Sequence, residues 1–258
     1  MRVMRPIARL AEFALALGIL VILWHFLSVR VANATLLPSP LAVALAWVEL
    51  LRTDLPTDIA ASLVHLGVGY GAGAALGLAL AILCARSAVA DAIVDPAMEL
   101  LRPIGAIAWI PIAIVFFGIG RGVPMFLIFY ASAFPIFVNT LAGVREVDRN
   151  LIAAARMLGA SPRLVVTHVV LPAAMPLVLA GARLSLGVAW AAMVAAELTG
   201  ADAGLGWRIF WYQEFFAMDK VMAVILTIGV FGYLLDLALR RLQAALTRWS
   251  ADTRAEAA

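Results

Sequence analysis

Charge is scarce in this sequence. Of 258 residues only 14% are Asp, Glu, Lys or Arg, and Lys220 is the single lysine. Soluble domains carry about a quarter charged residues, so the composition excludes an ordinary water-soluble enzyme or binding domain. Cysteine is nearly absent: Cys84 stands alone, which rules out an intramolecular disulfide, and its apolar, small-residue neighbours mark it as a buried hydrophobe. No Gly-Lys-Ser/Thr phosphate loop occurs, so the chain does not hydrolyse ATP by itself. His25, His65 and His168 are too scattered to announce a metal site. The short alternating segments of a β-barrel are missing as well.

What is present is apolar material, 65% of the chain, arranged in long runs between charged links. A spanning helix needs about 20 mostly apolar residues. Six segments meet that length: 10–29, 59–85, 92–118, 124–143, 176–198 and 221–239. The expected fold is therefore an all-α polytopic membrane protein with about six transmembrane helices, forming a single membrane domain over residues 1–258. Arg2, Arg5 and Arg9 precede the first run, and no small-x-small cleavage site followed by a soluble domain is seen, so that run reads as an uncleaved span. Between the first two spans, "PLAVALAWVELL" puts Leu41, Leu45, Val48 and Leu51 on one face of a helix too short to cross, which suits the membrane interface.

Six spans place both termini on one side. That side holds Arg2, Arg5, Arg9, Arg86, Arg145, Arg149, Arg156, Arg163, Arg240, Arg241, Arg248 and Arg254; the other holds Arg30, Arg52, Arg121, Arg208 and Lys220. A 12 to 5 split, with Arg102 and Arg183 inside spans, assigns the termini to the cytoplasm. The net charge of +3 thus reads as a topology signal and not as a nucleic-acid footprint. In the second span "GVGYGAGAALG" superficially fits a dinucleotide-binding pattern, but no strand precedes it. Gly69, Gly73 and Gly77, four apart, read instead as a close helix-packing face.

One cytoplasmic stretch, Ala153 to Pro172 ("AAARMLGASPRLVVTHVVLP"), interrupts the apolar pattern. The alanine-rich run before it favours helix, and Gly159 can take the left-handed conformation that ends one. Ser161 can then cap a second helix, with Pro162 at its first position, where a missing N–H costs nothing. The product is a short helix, a corner at Gly159 and a helix leading into the fifth span. A small alanine face held at a fixed angle is a docking shape; a plain connecting loop is the other reading.

This stretch resembles the EAA loop of the inner-membrane permease subunits of ABC importers. Ala154, Ala155, Gly159, Val169, Leu171 and Pro172 fall on that pattern, while Ala153 replaces the family's glutamate and removes any salt bridge from that position. Other segments in the same order, "LLPSP", "DPAMELLRPIGAIAWIPIAIVFFGIG", "FPIFVNTLAGV", "GARLSLGVAWAAMVAAEL" and "GLGWRIFWYQEFFAMD", are similar to the taurine, aliphatic sulfonate and nitrate permease group. "EFFAMD" is closer to the taurine and sulfonate branch.

The resemblance implies a multi-pass inner-membrane subunit with a cytoplasmic coupling helix between spans four and five, in a loop of about 145–175. It implies coupling to ATPase subunits through Ala153, Ala154, Ala155, Arg156, Gly159, Ala160, Ser161 and Pro162. Further partners are a second copy of the chain and a periplasmic or lipid-anchored substrate-binding protein. ATP and magnesium would belong to the ATPases, leaving this chain without a cofactor or metal.

Within the spans, Glu197 shares a helical face with Met193 and Trp190. An ionisable residue there is costly and points to the substrate pathway or a gate, or to an ion pair with Arg208 or Arg102 that fixes packing. Arg102 and Arg183 could attract an anion, but read more simply as snorkelling at the cytoplasmic interface. Trp24, Trp109, Trp207, Trp211 and Trp249 read as interface anchors or packing. A secondary transporter would need a coupling-ion site and commonly inverted repeats, and none is evident. An intramembrane enzyme would need a base for Ser161 or Ser185, and no histidine is suitably placed by pattern.

Overall fold

In the computed structural model, residues 4–31, 33 and 35–247 are described, with side chains at residue 12 and from residue 15 onward. Arg2, Arg248, Trp249 and Arg254, which entered the topology and anchor expectations, lie outside them, as do the side chains of Arg5 and Arg9. Every regular element among the described residues is helical. The long elements are α1 (Met4–Val31), α3 (Leu55–Arg86), α6 (Gly122–Arg145), α9 (Leu171–Gly200) and α11 (Met218–Leu246). Between them lie α2 (Pro40–Leu51), α4 (Ala88–Leu101), α5 (Ile110–Phe117), α7 (Arg149–Met157), α8 (Pro162–Val165) and α10 (Leu205–Glu214).

Helix α6 is the centre, packed along α3 on one side and α9 on the other. The glycine face expected on α3 is what lets the backbones approach. A Cβ at Gly69 would come within 2.6 Å of the Met125 carbonyl oxygen, and one at Gly77 within 2.6 Å of the Ala133 carbonyl oxygen. Without lipid-excluding hydrophobic drive between helices, such close approach supplies the dispersion and polar contacts that hold membrane helices together. On α9, Gly181 serves the same purpose, facing Asn139 and the Pro135 carbonyl of α6.

Among the described residues, four helices are long and apolar enough to cross a membrane: α3, α6, α11 and the continuous stretch Pro162–Gly200. The described apolar part of α1 runs from Leu15 to Val31, and its Trp24 donates to the Pro38 carbonyl at 3.1 Å. The third expected span, residues 92–118, is corrected: it is two helices, α4 and the segment Ala106–Phe117, meeting at 87°. The cause lies in the link "RPIG": Arg102 is still helical, Pro103 has no N–H to continue the ladder, Gly105 is extended, and α5 starts afresh with Pro111 in its first turn.

The short helix α2 exposes the apolar face that its spacing marked. Ser39 caps it, and Val43, Ala46 and Leu50 are buried while Leu41, Leu45 and Val48 stay exposed. The two apolar faces suit a helix lying between protein and lipid.

Candidate functional site

Two constellations carry polar chemistry. The first is buried where α3, α9 and the start of α10 converge. Glu197, fully buried on α9, accepts from Ser62 Oγ (2.8 Å), His65 Nδ1 (2.8 Å) and the Gly206 N–H (2.9 Å). With a carboxylate as the acceptor, His65 Nδ1 is the donor, and its Nε2 is buried with no hydrogen-bond partner among the described residues. Ser62 Oγ in turn accepts the Leu205 N–H at 2.9 Å, and Asp58 Oδ1 accepts the Gly204 N–H at 3.4 Å.

The first N–H groups of α10, which have no partner inside the helix, are thus met by three side chains from two other helices. Gly204 has φ +117°, and a Cβ there would sit 2.5 Å from the Glu197 carboxyl carbon. Only glycine fits on both counts. Around this knot Arg208 Nε donates to Asp58 Oδ2 at 2.5 Å, and the Tyr212 hydroxyl donates to Asp54 Oδ2 at 2.6 Å. Burial, and then the bond to Asp54, push the Tyr212 phenol above its ordinary value.

The second constellation is the corner after α7. Asp148 caps α7, accepting the Asn150 N–H at 2.8 Å. Gly159 takes φ +80°, the left-handed turn anticipated for it, and among the described residues nothing lies within 4 Å of where its Cβ would be. Ser161 Oγ accepts the Leu164 N–H at 3.3 Å, and Pro162 opens α8. Ala153, Ala154, Arg156, Ser161 and Pro162 are exposed and Ala155 and Ala160 half-buried, while Met157 and Leu158 at the tip are 84% and 88% exposed.

From α8 the chain runs into α9 through one wider turn, Val166–Val170, closed by the Leu171 N–H on the Val166 carbonyl. Pro172 explains the wide turn. It has no N–H for the His168 carbonyl, and its ring would crowd that oxygen, so the ladder slips by one residue just before it.

Residues 76–249 match the family described as the binding-protein-dependent transport system inner membrane component. The taurine transport system permease protein of Escherichia coli K12 is 34% identical over 257 residues, covering 96% of this chain and 93% of that protein. The putative aliphatic sulfonates transport permease protein of Bacillus subtilis 168 is 34% identical, covering 90% and 85%. An inward-facing structure of the MetNI methionine ABC transporter superposes with a TM-score of 0.63 at 22% identity, covering 74% of this chain and 94% of that one, a likeness of fold. The chain belongs to this inner-membrane component family. It is a permease subunit of an ABC importer, non-catalytic, with ATP hydrolysis in a separate chain.

The structure places the permease's remaining in-span charges differently from their sequence reading. The ion pair suggested between Glu197 and Arg208 or Arg102 is not formed: Arg208 pairs with Asp58 and, at 3.6 Å, with Asp54. Met193 is fully buried beside Leu66, Ile128 and Leu186, and Trp190 lies over Gly232 of α11. Arg183 does not snorkel freely but pairs with Asp236 at 2.7 Å, which also binds Arg240. Arg102 ends α4 at the helix break and lines an open groove along α6.

The Ser62, His65 and Asp58 partners of Glu197 and Arg208 escaped the sequence reading. Their spacing on α3, with Asp54, is a polar stripe of period three to four entering an apolar span. That signal was legible, though its partners were not.

Proposed function

We propose that this permease forms, as two copies, the membrane path of an importer for a small sulfonate-type anion such as taurine or an alkanesulfonate. Two ATPase subunits holding ATP and magnesium would lie on its cytoplasmic face, and a periplasmic or lipid-anchored binding protein would deliver the solute. The observation that carries the coupling reading is the Gly159 corner: a capped helix, a left-handed glycine and a second capped helix that continues without a break into span α9. A force on Ala153–Pro162 would therefore be transmitted to α9 as a rigid lever. Met157 and Leu158 supply bare apolar contacts for the ATPase surface, and the alanines allow close approach where a glutamate is missing.

The substrate class is supported by the names borne by the relatives, taurine and aliphatic sulfonate permeases. Glu197, with Met193 and Trp190 on the same helical face, is proposed to act at the outer gate by tying α10 to α3 and α9. Its place among buried donors suits a latch better than a solute contact.

The test is reconstitution of the permease with its ATPase and binding protein in vesicles. ATP-dependent taurine or alkanesulfonate uptake is expected, with uptake absent when the ATPase is omitted. Uptake by the permease alone under a proton gradient would overturn the reading. Both termini are proposed to be cytoplasmic, and a reporter fused after Ala258 that is active only in the periplasm would refute that orientation.

A further inference from the structure

Helix α4 begins at Ala88, next to Arg86 at the end of α3, and runs 14 residues before Arg102, a rise of about 21 Å. Across from it, the groove that Arg102 lines is walled by Tyr130, Pro135, Val138 and Asn139 of α6 and by Leu184 and Val188 of α9. On a 24-residue span those α6 positions are central, and Tyr130 donates to the Leu101 carbonyl at 2.8 Å. Arg102 is therefore at the mid-depth of the helix bundle, not at its cytoplasmic rim.

A guanidinium at that depth is expensive unless it is paired or faces water or a ligand. Asp91 and Asp95 on its own helix are taken by Arg145, and Asp236 by Arg183 and Arg240. Among the described residues no carboxylate lies within ion-pair distance of Arg102. The groove beside it measures about 310 Å³, at the lower end of the range of ligand pockets, about 300–1,000 Å³. Asn139 spends one amide hydrogen on the Pro135 carbonyl at 2.8 Å and has a second to offer. The groove continues into a second cavity of about 300 Å³ that Arg102 also borders, where the other charged residues are Asp95, Glu99, Arg145 and Glu146. The charge balance there is acidic, so an anion moving along α6 finds its favourable position at Arg102 and repulsion further on.

We infer that Arg102 is the anion-recognition residue of the translocation path, holding a sulfonate or similar oxyanion through charge-assisted hydrogen bonds at the break between α4 and α5. Guanidinium matches such groups by its planar fork of donors, and a single weakly held stop followed by repulsion lets a solute enter and leave. This inference rests on the proposed importer role but is tested apart from it.

The probe is local charge selection in the groove of the assembled transporter. With Cys84→Ser removing the native thiol, Val138→Cys places a reporter thiol beside Arg102. Its labelling rate by a sulfonatoethyl methanethiosulfonate is compared with that by the neutral methyl reagent. With Arg102 present the ratio of the two rates is expected to be at least tenfold higher than in Arg102→Gln, with Arg102→Lys between, and millimolar taurine should slow the reaction. Arg241→Gln, an exposed arginine remote from the groove, should leave the ratio unchanged. An equal ratio in Arg102 and Arg102→Gln proteins, or a thiol that neither reagent reaches in the complex, overturns the inference. If the ratio depends on Arg102 while the wild-type importer takes up no sulfonate, the anion site stands and the substrate reading fails.

Discussion

Ser62 Oγ and the Glu197 carboxylate, 135 residues apart in sequence, lie 2.8 Å apart with no solvent access. One hydrogen bond thereby joins α3 to α9, and the same carboxylate reaches the first turn of α10. Removing an acceptor from such a knot leaves buried donors unmet, which costs about 1–3 kcal/mol per group.

Glu197→Gln keeps the shape but turns one oxygen into a donor facing other donors. Thermal inactivation of the purified permease is expected several degrees lower, and uptake is expected to fall while the ATPase still copurifies. Unchanged uptake with lowered stability would remove the gating role and leave only a packing one.

Gly159→Val tests the corner. At φ +80° a β-branched side chain is strongly disfavoured, and the strain of about 1–3 kcal/mol falls on an exposed turn. The chain should still insert into the membrane, while uptake and substrate-stimulated ATP hydrolysis decline together. Ala155→Arg should give the same pattern through bulk alone. Normal, coupled transport in both variants would reduce the corner to a connecting loop.

Two glycines of one helix should respond in opposite ways. A Cβ at Gly73 would meet Ser132 Oγ and, at 2.5 Å, the Phe129 carbonyl oxygen, whereas at Gly71 nothing lies within 4 Å. Gly73→Leu is therefore expected to part α3 from α6 and abolish folded protein in detergent, well beyond the 1–3 kcal/mol of ordinary overpacking. Gly71→Leu should be tolerated, and size-exclusion recovery of the two variants checks the contrast.

The raised phenol of Tyr212 links stability to alkaline pH. Below about pH 10, the ordinary phenol value, folded and unfolded chains are both protonated and the contribution is complete. Above it the unfolded chain loses its proton first, so stability should fall as pH climbs toward the folded value. Tyr212→Phe should be less stable at neutral pH by about 1 kcal/mol, the net worth of a hydrogen bond, yet should show a flatter decline above pH 10 in thermal-shift measurements.

What the sequence determined by itself are features decided within a few residues. Hydropathy over a span's length marked α3, α6, α9 and α11, because the bilayer selects for uninterrupted apolar helix. Gly159, Ser161 and Pro162 specified their corner because left-handed φ, side-chain capping and a dispensable N–H are all local. The four-residue spacing of Gly69, Gly73 and Gly77 announced a contact face but not the helix that fills it. Only the tertiary structure decided that α6 fills it, that Ser62 and His65 meet Glu197, that Arg208 goes to Asp58, and that Arg183 goes to Asp236. Each of these pairs joins different helices, and no local preference ranks one distant partner over another. The depth of Arg102 belongs with them: Pro103 and Gly105 signalled a weak point, but an 87° break, and with it an arginine at mid-span, follows only from how α5 packs back onto α6.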